Sequence, residues 1–348
     1  MSLAESASVI DGAFQDIPVI DLSHATSPDE NERKALASQI RNACMTVGFF
    51  YVKNHGIPSE CIDNVLKVNK EYFELPTEEK LKLNHKKVAN FKGYTPLLDA
   101  NIEPGNSGDL HESFQIGWEE LEAKAHDEKR ANDGAMAGAN VWPERPEKYR
   151  EGMLKYYHAA VAVGKILFPM FALSLDLPER YFDDKTKNSA AIMNALHYPP
   201  QTGPADDRIV GIGAHTDFEC FTILWQQPGI QALQVLNSQK QWINAPPIDG
   251  TLVINLGDQF ARWTNDIFKS TVHRAVNRNG IDRYSIPLFF GTDYDVNIEV
   301  RAHLLFEYST IEVVEQPITS CVSAERPARY GPVSAGEYVN QRLKDMYY

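Results

Sequence analysis

Cysteine is scarce in this chain of 348 residues, which has only Cys44, Cys61, Cys220 and Cys321. None of the four belongs to a Cys-x-x-Cys pair, so the spacing of a structural zinc site is missing. Four scattered thiols are also too few for a disulfide scaffold. We therefore expect a reduced, cytoplasmic setting in which these thiols are free.

Positive charge is in deficit as well, because 34 Lys and Arg stand against 47 Asp and Glu, for a formal net charge of −13. A chain this acidic is repelled by nucleic-acid backbones and by anionic membrane surfaces. No apolar run approaches the roughly 20 residues that span a bilayer, and the first residues lack the basic start and long apolar core of a secretory signal. We expect a small-molecule partner, and neither nucleic acid nor membrane. The composition leaves the oligomeric state open.

Short β-rich runs dominate the second half of the chain. From residue 190 onward they alternate with turn signals such as Pro199-Pro200 and Asn279-Gly280, a pattern typical of a sandwich or barrel. Upstream, apolar spacing predicts a long helix over residues 147–175, and a terminal helix is expected over 334–348. Residues 84–140 read as loops with short elements. The predicted fold class is therefore α+β with a mainly β core backed by helices.

His215 and Asp217 are the first candidate metal ligands. Alternation along a strand places both on one face, with Thr216 on the other. His273 follows several predicted strands later, which can return it to the same end of the sheet. Two histidines and one carboxylate leave one face of an octahedral iron open for substrate and oxygen, as in non-heme Fe(II) oxygenases. A His-x-Asp pair without that distal histidine is more often an ordinary polar pair on a β surface.

Arg283 and Ser285 are the next candidates, and strand alternation again places them on one face. A guanidinium and a hydroxyl together bind a carboxylate through charge-assisted hydrogen bonds. A lone Arg-x-Ser is common on an exposed strand. Here it follows the three candidate ligands in order, which favours a clamp for the carboxylate of a substrate or co-substrate.

The motifs around these residues resemble those of the Fe(II)/2-oxoglutarate-dependent dioxygenases of the isopenicillin N synthase-like group. They include Ile-Pro-Val-Ile-Asp at 17–21, Gly-Ala-His-Thr-Asp at 213–217, Asn-Leu-Gly-Asp at 255–258 and Ser-Thr-Val-His-Arg at 270–274. The resemblance covers most of the chain from residue 17 onward. It implies a distorted double-stranded β-helix, which is a jelly-roll-like barrel, backed by helices.

The resemblance also implies roles. His215, Asp217 and His273 would hold Fe(II), while the distal carboxylate of 2-oxoglutarate would bind residues that match the family's clamp, namely Arg283, Ser285 and Tyr198. O2 would complete the set of reactants. The regions implied are an N-terminal dioxygenase region at 17–125, a catalytic core at 187–295, and a C-terminal extension and helix at 296–348. Leu224 would form apolar wall beside the co-substrate.

The sequence leaves three functions open. The first is 2-oxoglutarate-dependent hydroxylation or desaturation of a small organic molecule in secondary metabolism. The second is an oxidase of the same fold that does not use 2-oxoglutarate, like isopenicillin N synthase or aminocyclopropane carboxylate oxidase, since these share the iron residues and an Arg-x-Ser. The third is a non-catalytic barrel that binds a small carboxylate. The sequence also departs from many plant members of the family at Leu196 and Asn194, two positions that are expected to face the co-substrate.

Overall fold

The structure is a computed structural model that describes residues 13–103, 108–122, 138–201, 210–298 and 318–347. Its described strands, in chain order, are β1 (Val19–Asp21), β2 (Phe49–Lys53), β3 (Gly93–Thr95), β4 (Glu112–Ile116), β5 (Ala191–Tyr198), β6 (Ile212–His215), β7 (Phe221–Gln226), β8 (Leu233–Leu236), β9 (Trp242–Asn244), β10 (Thr251–Leu256), β11 (His273–Ala275), β12 (Arg283–Phe290), β13 (Asn297–Ile298) and β14 (Val333–Ser334).

Two sheets position the site. The large sheet has eight strands in the order β1-β2-β10-β7-β12-β5-β4-β3, and the small sheet has four in the order β6-β11-β8-β9. Only β1 and β2 pair in parallel, and the remaining described neighbours in both sheets are antiparallel. Strands β13 and β14 form a separate pair. The predicted mainly β core is therefore confirmed.

Six described helices accompany the sheets: α1 (Glu30–Thr46), α2 (Ser59–Phe73), α3 (Thr77–Leu81), α4 (Tyr149–Ser174), α5 (Asp258–Trp263) and α6 (Ala335–Tyr347). Helix α1 begins after Asp29, whose side chain accepts a hydrogen bond from the backbone N–H of Asn31 at 2.8 Å, as an N-cap residue does. The long helix and the terminal helix that the sequence predicts are both present, within two residues of the expected ends.

Helix α4 is the main support of the large sheet and also packs against α1 and α2. Its buried stripe includes Met153, Leu167 and Phe171. Among the described helices it alone is long and apolar enough to cross a membrane, but 56% of its most apolar window is buried inside the protein. The core helix of a globular protein has the same apolar composition. Here the contacts of α4 with α1, α2 and β12 explain why the helix is apolar.

Gly164 lets α4 approach β12 closely. A Cβ atom at this position would lie 2.6 Å from the ring of Phe290, well inside van der Waals contact. That ring is held by Phe168 and Phe221, whose centroids lie 5.6 and 5.4 Å away. The helix can therefore rest directly on the strand that carries Arg283 and Ser285.

The short elements expected within residues 84–140 include two strands. Strands β3 and β4 extend the large sheet there, and every residue of β4 is buried. Its first residue, Glu112, lies within 2.6 Å of the ammonium of Lys80 and 2.8 Å of the Nδ1 atom of His197. These partners come from distant parts of the chain, so a polar segment becomes an interior strand.

Candidate active site

The three predicted metal ligands lie together. His215 ends β6 and His273 begins β11, and the two residues face each other across the antiparallel pair. Asp217 follows two residues after β6. The ligand atoms of all three lie within 4.8 Å of one another, and the Oδ1 atom of Asp217 is 3.4 Å from Nε2 of His215 and 3.6 Å from Nε2 of His273.

Hydrogen bonds orient the three side chains toward one point. The Nδ1 atoms of His215 and His273 lie 2.8 and 3.1 Å from the carbonyl oxygens of Gly213 and Thr271. Donation to a carbonyl places the proton on Nδ1 and leaves the Nε2 lone pair for a metal. The three atoms that face one another are therefore two imidazole nitrogens and one carboxylate oxygen.

Asp217 is fixed through its other oxygen. Its Oδ2 atom accepts hydrogen bonds from the Oγ1 hydroxyl of Thr222 and from Nδ2 of Asn255, the latter at 2.6 Å. Oδ1 remains directed at the two histidines. Such outer partners set the direction of a ligand and support its charge.

The electrostatics of the cluster suit a cation. Burial opposes ionisation of Asp217, but the adjacent imidazoles of His273 and His215 and the hydroxyl of Thr222 favour the carboxylate and hold the pKa of Asp217 below its usual range. Burial and the neighbouring His215 lower the pKa of His273 to about 4. His273 is therefore neutral at neutral pH, the form in which imidazole binds a metal.

Arg283 lies beside the three ligands in the same cavity and is almost completely buried, with 1% of its surface exposed. Its Nη2 atom donates to Oε1 of Gln226 at 3.4 Å, while Nε and Nη1 have no partner among the described residues. The guanidinium stacks 4.6 Å from the ring centre of Tyr198. Ser285 donates to the hydroxyl of Tyr198 at 3.4 Å.

Two unsatisfied donors on a buried guanidinium are costly. A carboxylate satisfies one of them and pairs with the neighbouring Nη2 group at the same time, because its two oxygens match a fork of adjacent guanidinium N–H groups. Arg283, Ser285 and Tyr198 therefore fit the distal carboxylate of 2-oxoglutarate, and His215, Asp217 and His273 fit Fe(II). The sequence predicted all six, and the structure brings them to one cavity.

Both sheets contribute to that open cavity, whose interior volume is about 150 Å³. On β5 the lining residues are every second one, as the alternation of a strand requires: Ile192, Asn194, Leu196 and Tyr198. Leu196, Asn194 and Leu224 line the cavity as expected. Two residues of α6, Val339 and Leu343, complete the apolar wall.

Comparison with known proteins identifies the family. Residues 17–145 match the family model described as the N-terminal region of non-haem dioxygenases in morphine synthesis. Residues 188–292 match the model of the 2OG-Fe(II) oxygenase superfamily. The 2-oxoglutarate-Fe(II) type oxidoreductase hxnY of Emericella nidulans is 34% identical over 95% of this chain and 90% of its own length. The chain belongs to the 2OG-Fe(II) oxygenase superfamily. Its mainly β fold, enzyme class and cofactors, namely Fe(II), 2-oxoglutarate and O2, are thereby confirmed.

Two further similar proteins are associated with small molecules, one by its name and one by its crystal structure. A homoarginine-6-hydroxylase of Glycine max is 32% identical over 82% of this chain and 88% of its own. The crystal structure of a full-length Neurospora crassa protein in complex with alpha-KG and thymine has a TM-score of 0.76 and 27% identity, covering 94% of this chain and 96% of that one. These findings set aside the non-catalytic barrel and the oxidase that does not use 2-oxoglutarate.

Two cavity residues of the oxygenase were not predicted. His111 is 7% exposed, and its ring centre lies 5.7 Å from that of Tyr198. Glu219 is 4% exposed and lines the cavity two residues after Asp217. Neither carried a signal in the sequence, because burial at both positions is created by distant strands. His197 lies on the opposite face of β5, where its Nδ1 atom is 2.8 Å from Oε1 of Glu112.

Asp258 links the terminal helix to the metal ligands. Its Oδ2 atom accepts from the hydroxyls of Thr216 and Tyr338 at 3.1 and 3.0 Å, and its Oδ1 atom accepts from Ser270 at 2.7 Å. Its backbone N–H donates to the carbonyl oxygen of Asp217 at 2.8 Å. One carboxylate thus connects α6, the loop of Asp217 and the segment before His273.

Proposed function

We propose that this oxygenase oxidises a C–H bond of a small nitrogen-bearing organic molecule in secondary metabolism, by hydroxylation or desaturation. His215, Asp217 and His273 hold the iron, and Arg283, Ser285 and Tyr198 hold 2-oxoglutarate. The observation that carries the proposal is the buried Arg283, with two unsatisfied donors, beside three convergent ligand atoms. Thymine in the Neurospora crassa complex and homoarginine in the name of a relative are both nitrogen-bearing small molecules.

When bound, the iron with 2-oxoglutarate and O2 supplies the oxidising power, and 2-oxoglutarate leaves as succinate and CO2. The protein does the positioning. Arg283 and Ser285 fix the far end of 2-oxoglutarate, while Thr222 and Asn255 hold Asp217 in its ligand orientation. The apolar wall that includes Leu224 displaces water from the reacting atoms.

The proposed setting follows from the same features. We propose a small-molecule partner rather than nucleic acid or membrane, in keeping with the net charge of −13. A cytoplasmic location and the three regions at 17–125, 187–295 and 296–348 stay predictions. Size-exclusion chromatography measures the oligomeric state directly.

Succinate release tests the proposed function. The wild-type protein with Fe(II), 2-oxoglutarate and O2 is screened against nitrogen-bearing small molecules, and a true substrate is expected to stimulate succinate formation and to gain an oxygen atom or lose two hydrogens. His215→Ala is expected to lose both signals, because one of three iron ligands is gone. Equal turnover in that variant would contradict the metal site.

A further inference from the structure

Glu219 is a buried acidic residue that the proposed chemistry does not use. It lies in the loop between Asp217 and β7, and only 4% of its surface is exposed. Its Oε2 atom has no hydrogen-bond partner among the described residues. The carboxyl group rests against Gly291, where a Cβ atom would lie 3.0 Å from Oε2. The glycine therefore leaves room for this side chain in the cavity wall.

Arg283 is assigned to the carboxylate of 2-oxoglutarate, and the other charged side chains around the cavity have partners within the protein. Asp217 faces the two histidines, and Asp109 accepts from the backbone N–H groups of Gly213 and Ile102 at 2.8 and 3.2 Å. Arg342, on α6, stacks 4.7 Å from the ring centre of Phe218 and lies 3.6 Å from Asp258. No cation among the described residues therefore forms an ion pair with Glu219.

An unpaired buried carboxyl destabilises a fold, because it has left water without gaining a partner. Such groups are found where a ligand supplies the missing hydrogen bonds. Glu219 lines the same cavity as the three iron ligands, so the substrate is the molecule that reaches it.

Asn194 presents a second unsatisfied acceptor to the same cavity. It lies on β5, and its Oδ1 atom is buried without a partner among the described residues. The opposite residue on β4, Gln115, uses its Nε2 atom to donate to the carbonyl oxygen of Phe91 at 2.9 Å. The unsatisfied atoms of these two residues, Oε2 of Glu219 and Oδ1 of Asn194, are oxygens that can accept hydrogen bonds.

We propose that Glu219 anchors the substrate through an N–H donor, with Asn194 as a secondary acceptor. The substrate class is a small molecule with an amide, ring or cationic N–H group on an apolar body, since Ile192, Phe218 and Phe289 line the rest of the wall. This assignment rests on the proposed function, because it places that N–H group beside the oxidised C–H bond.

Matched fragments test the anchor without turnover. The wild-type protein is loaded with Mn(II) and 2-oxoglutarate, and the binding of benzamide and N,N-dimethylbenzamide is measured by calorimetry. These probes differ in whether the amide carries N–H donors. Benzamide is expected to bind about tenfold more tightly, the effect of one satisfied hydrogen bond. Equal affinities would overturn the proposal.

Two variants test the acceptor directly. Glu219→Met is expected to abolish the preference for benzamide, because the side chain keeps its length but loses both oxygens. Glu219→Gln retains an acceptor oxygen and is the matched control, so it is expected to keep the preference for benzamide. A preference for benzamide that survives in Glu219→Met would overturn the proposal.

Thermal unfolding provides an independent readout. Glu219→Met is expected to melt at a higher temperature than the wild type, because an uncompensated buried carboxyl is removed. A lower melting temperature would show that the carboxyl is paired within the protein and would overturn the assignment. Succinate release is recorded in parallel. If no succinate forms but the preference for benzamide remains, the proposed oxygenase function fails and the anchor stands. If succinate forms without that preference, the anchor fails.

Discussion

Arg283 presents two guanidinium nitrogens to the cavity that no described protein atom satisfies. Arg283→Ala is therefore expected to weaken 2-oxoglutarate binding by about 100-fold, the loss of a buried charge-assisted contact. Ser285→Ala serves as the graded control and is expected to weaken it about fivefold, the loss of one neutral hydrogen bond. Calorimetry with Mn(II) in place of iron measures both. An unchanged affinity in Arg283→Ala would mean that the residue binds something else.

Thr222 acts on the metal through Asp217, to which its hydroxyl donates. Thr222→Val keeps the shape but removes the donor, and it is expected to lower Mn(II) affinity by about 10- to 100-fold, as loss of an outer partner does. Thr222→Ser keeps the hydroxyl and is the matched control, with affinity close to that of the wild type. Equal loss in both variants would point to packing instead.

At the level of single residues, the sequence predicted site residues that meet two conditions. They belong to a motif of the family, and strand alternation places them on the same face as another site residue. Arg283 and Ser285 satisfy both conditions, whereas His215, Asp217 and His273 rest on the family motifs, because Asp217 lies beyond the end of β6. Glu219 satisfies neither, because it sits in the loop between β6 and β7, outside any strand. Its burial depends on Gly291 and on the distant end of β12, and no local pattern encodes that contact.

Among the elements, the contact between α4 and β12 is the tightest one that supports the site. Gly164→Ala is expected to lower the free energy of unfolding by about 1–3 kcal/mol, since the new methyl group meets the packed ring of Phe290. Ala162, exposed on the same helix, provides the control. Ala162→Gly is expected to cost about 1 kcal/mol from helix propensity alone. Urea unfolding compares the two, and a neutral Gly164→Ala would mean that the ring moves aside freely.

Strand β4 shows which elements the sequence could not predict. The runs that became β7, β10 and β12 are rich in β-branched and aromatic residues, so their pattern was sufficient. Glu112 and Gln115 give β4 the composition of a loop. They are buried only because Lys80, His197 and the backbone of Phe91 supply their hydrogen bonds. Partners so distant in the sequence leave no local periodicity.

Across the whole molecule, the iron ligands and the co-substrate clamp belong to different parts of the fold. His215 and His273 lie on the small sheet, whereas Arg283, Ser285 and Tyr198 lie on the large one. A co-substrate that binds both the metal and Arg283 therefore connects the two sheets. The general fold was predictable from the β-rich runs and the motifs. The placement of the metal histidines and the co-substrate clamp on different sheets became evident only from the strand order.

Mn(II) and 2-oxoglutarate together are accordingly expected to raise the melting temperature by more than the sum of their separate effects. At a hundredfold excess over its Kd, each ligand contributes about 2.7 kcal/mol. Arg283→Ala is expected to keep the rise in melting temperature caused by Mn(II) alone. It is expected to lose the extra rise seen when 2-oxoglutarate is added with Mn(II). Differential scanning calorimetry of the four ligand combinations provides the comparison, and strictly additive shifts would contradict a connection between the sheets.

The same division has a consequence for how such an enzyme diverges. Gln115 and Leu343 line the cavity but belong neither to the metal ligands nor to the co-substrate clamp, so these positions can change while the oxidising chemistry is kept. A library randomised at these two positions is expected to retain metal and 2-oxoglutarate binding while it samples new substrates. Substrate selectivity then depends on cavity residues of β4, β5 and α6, which can be replaced without changing the metal ligands.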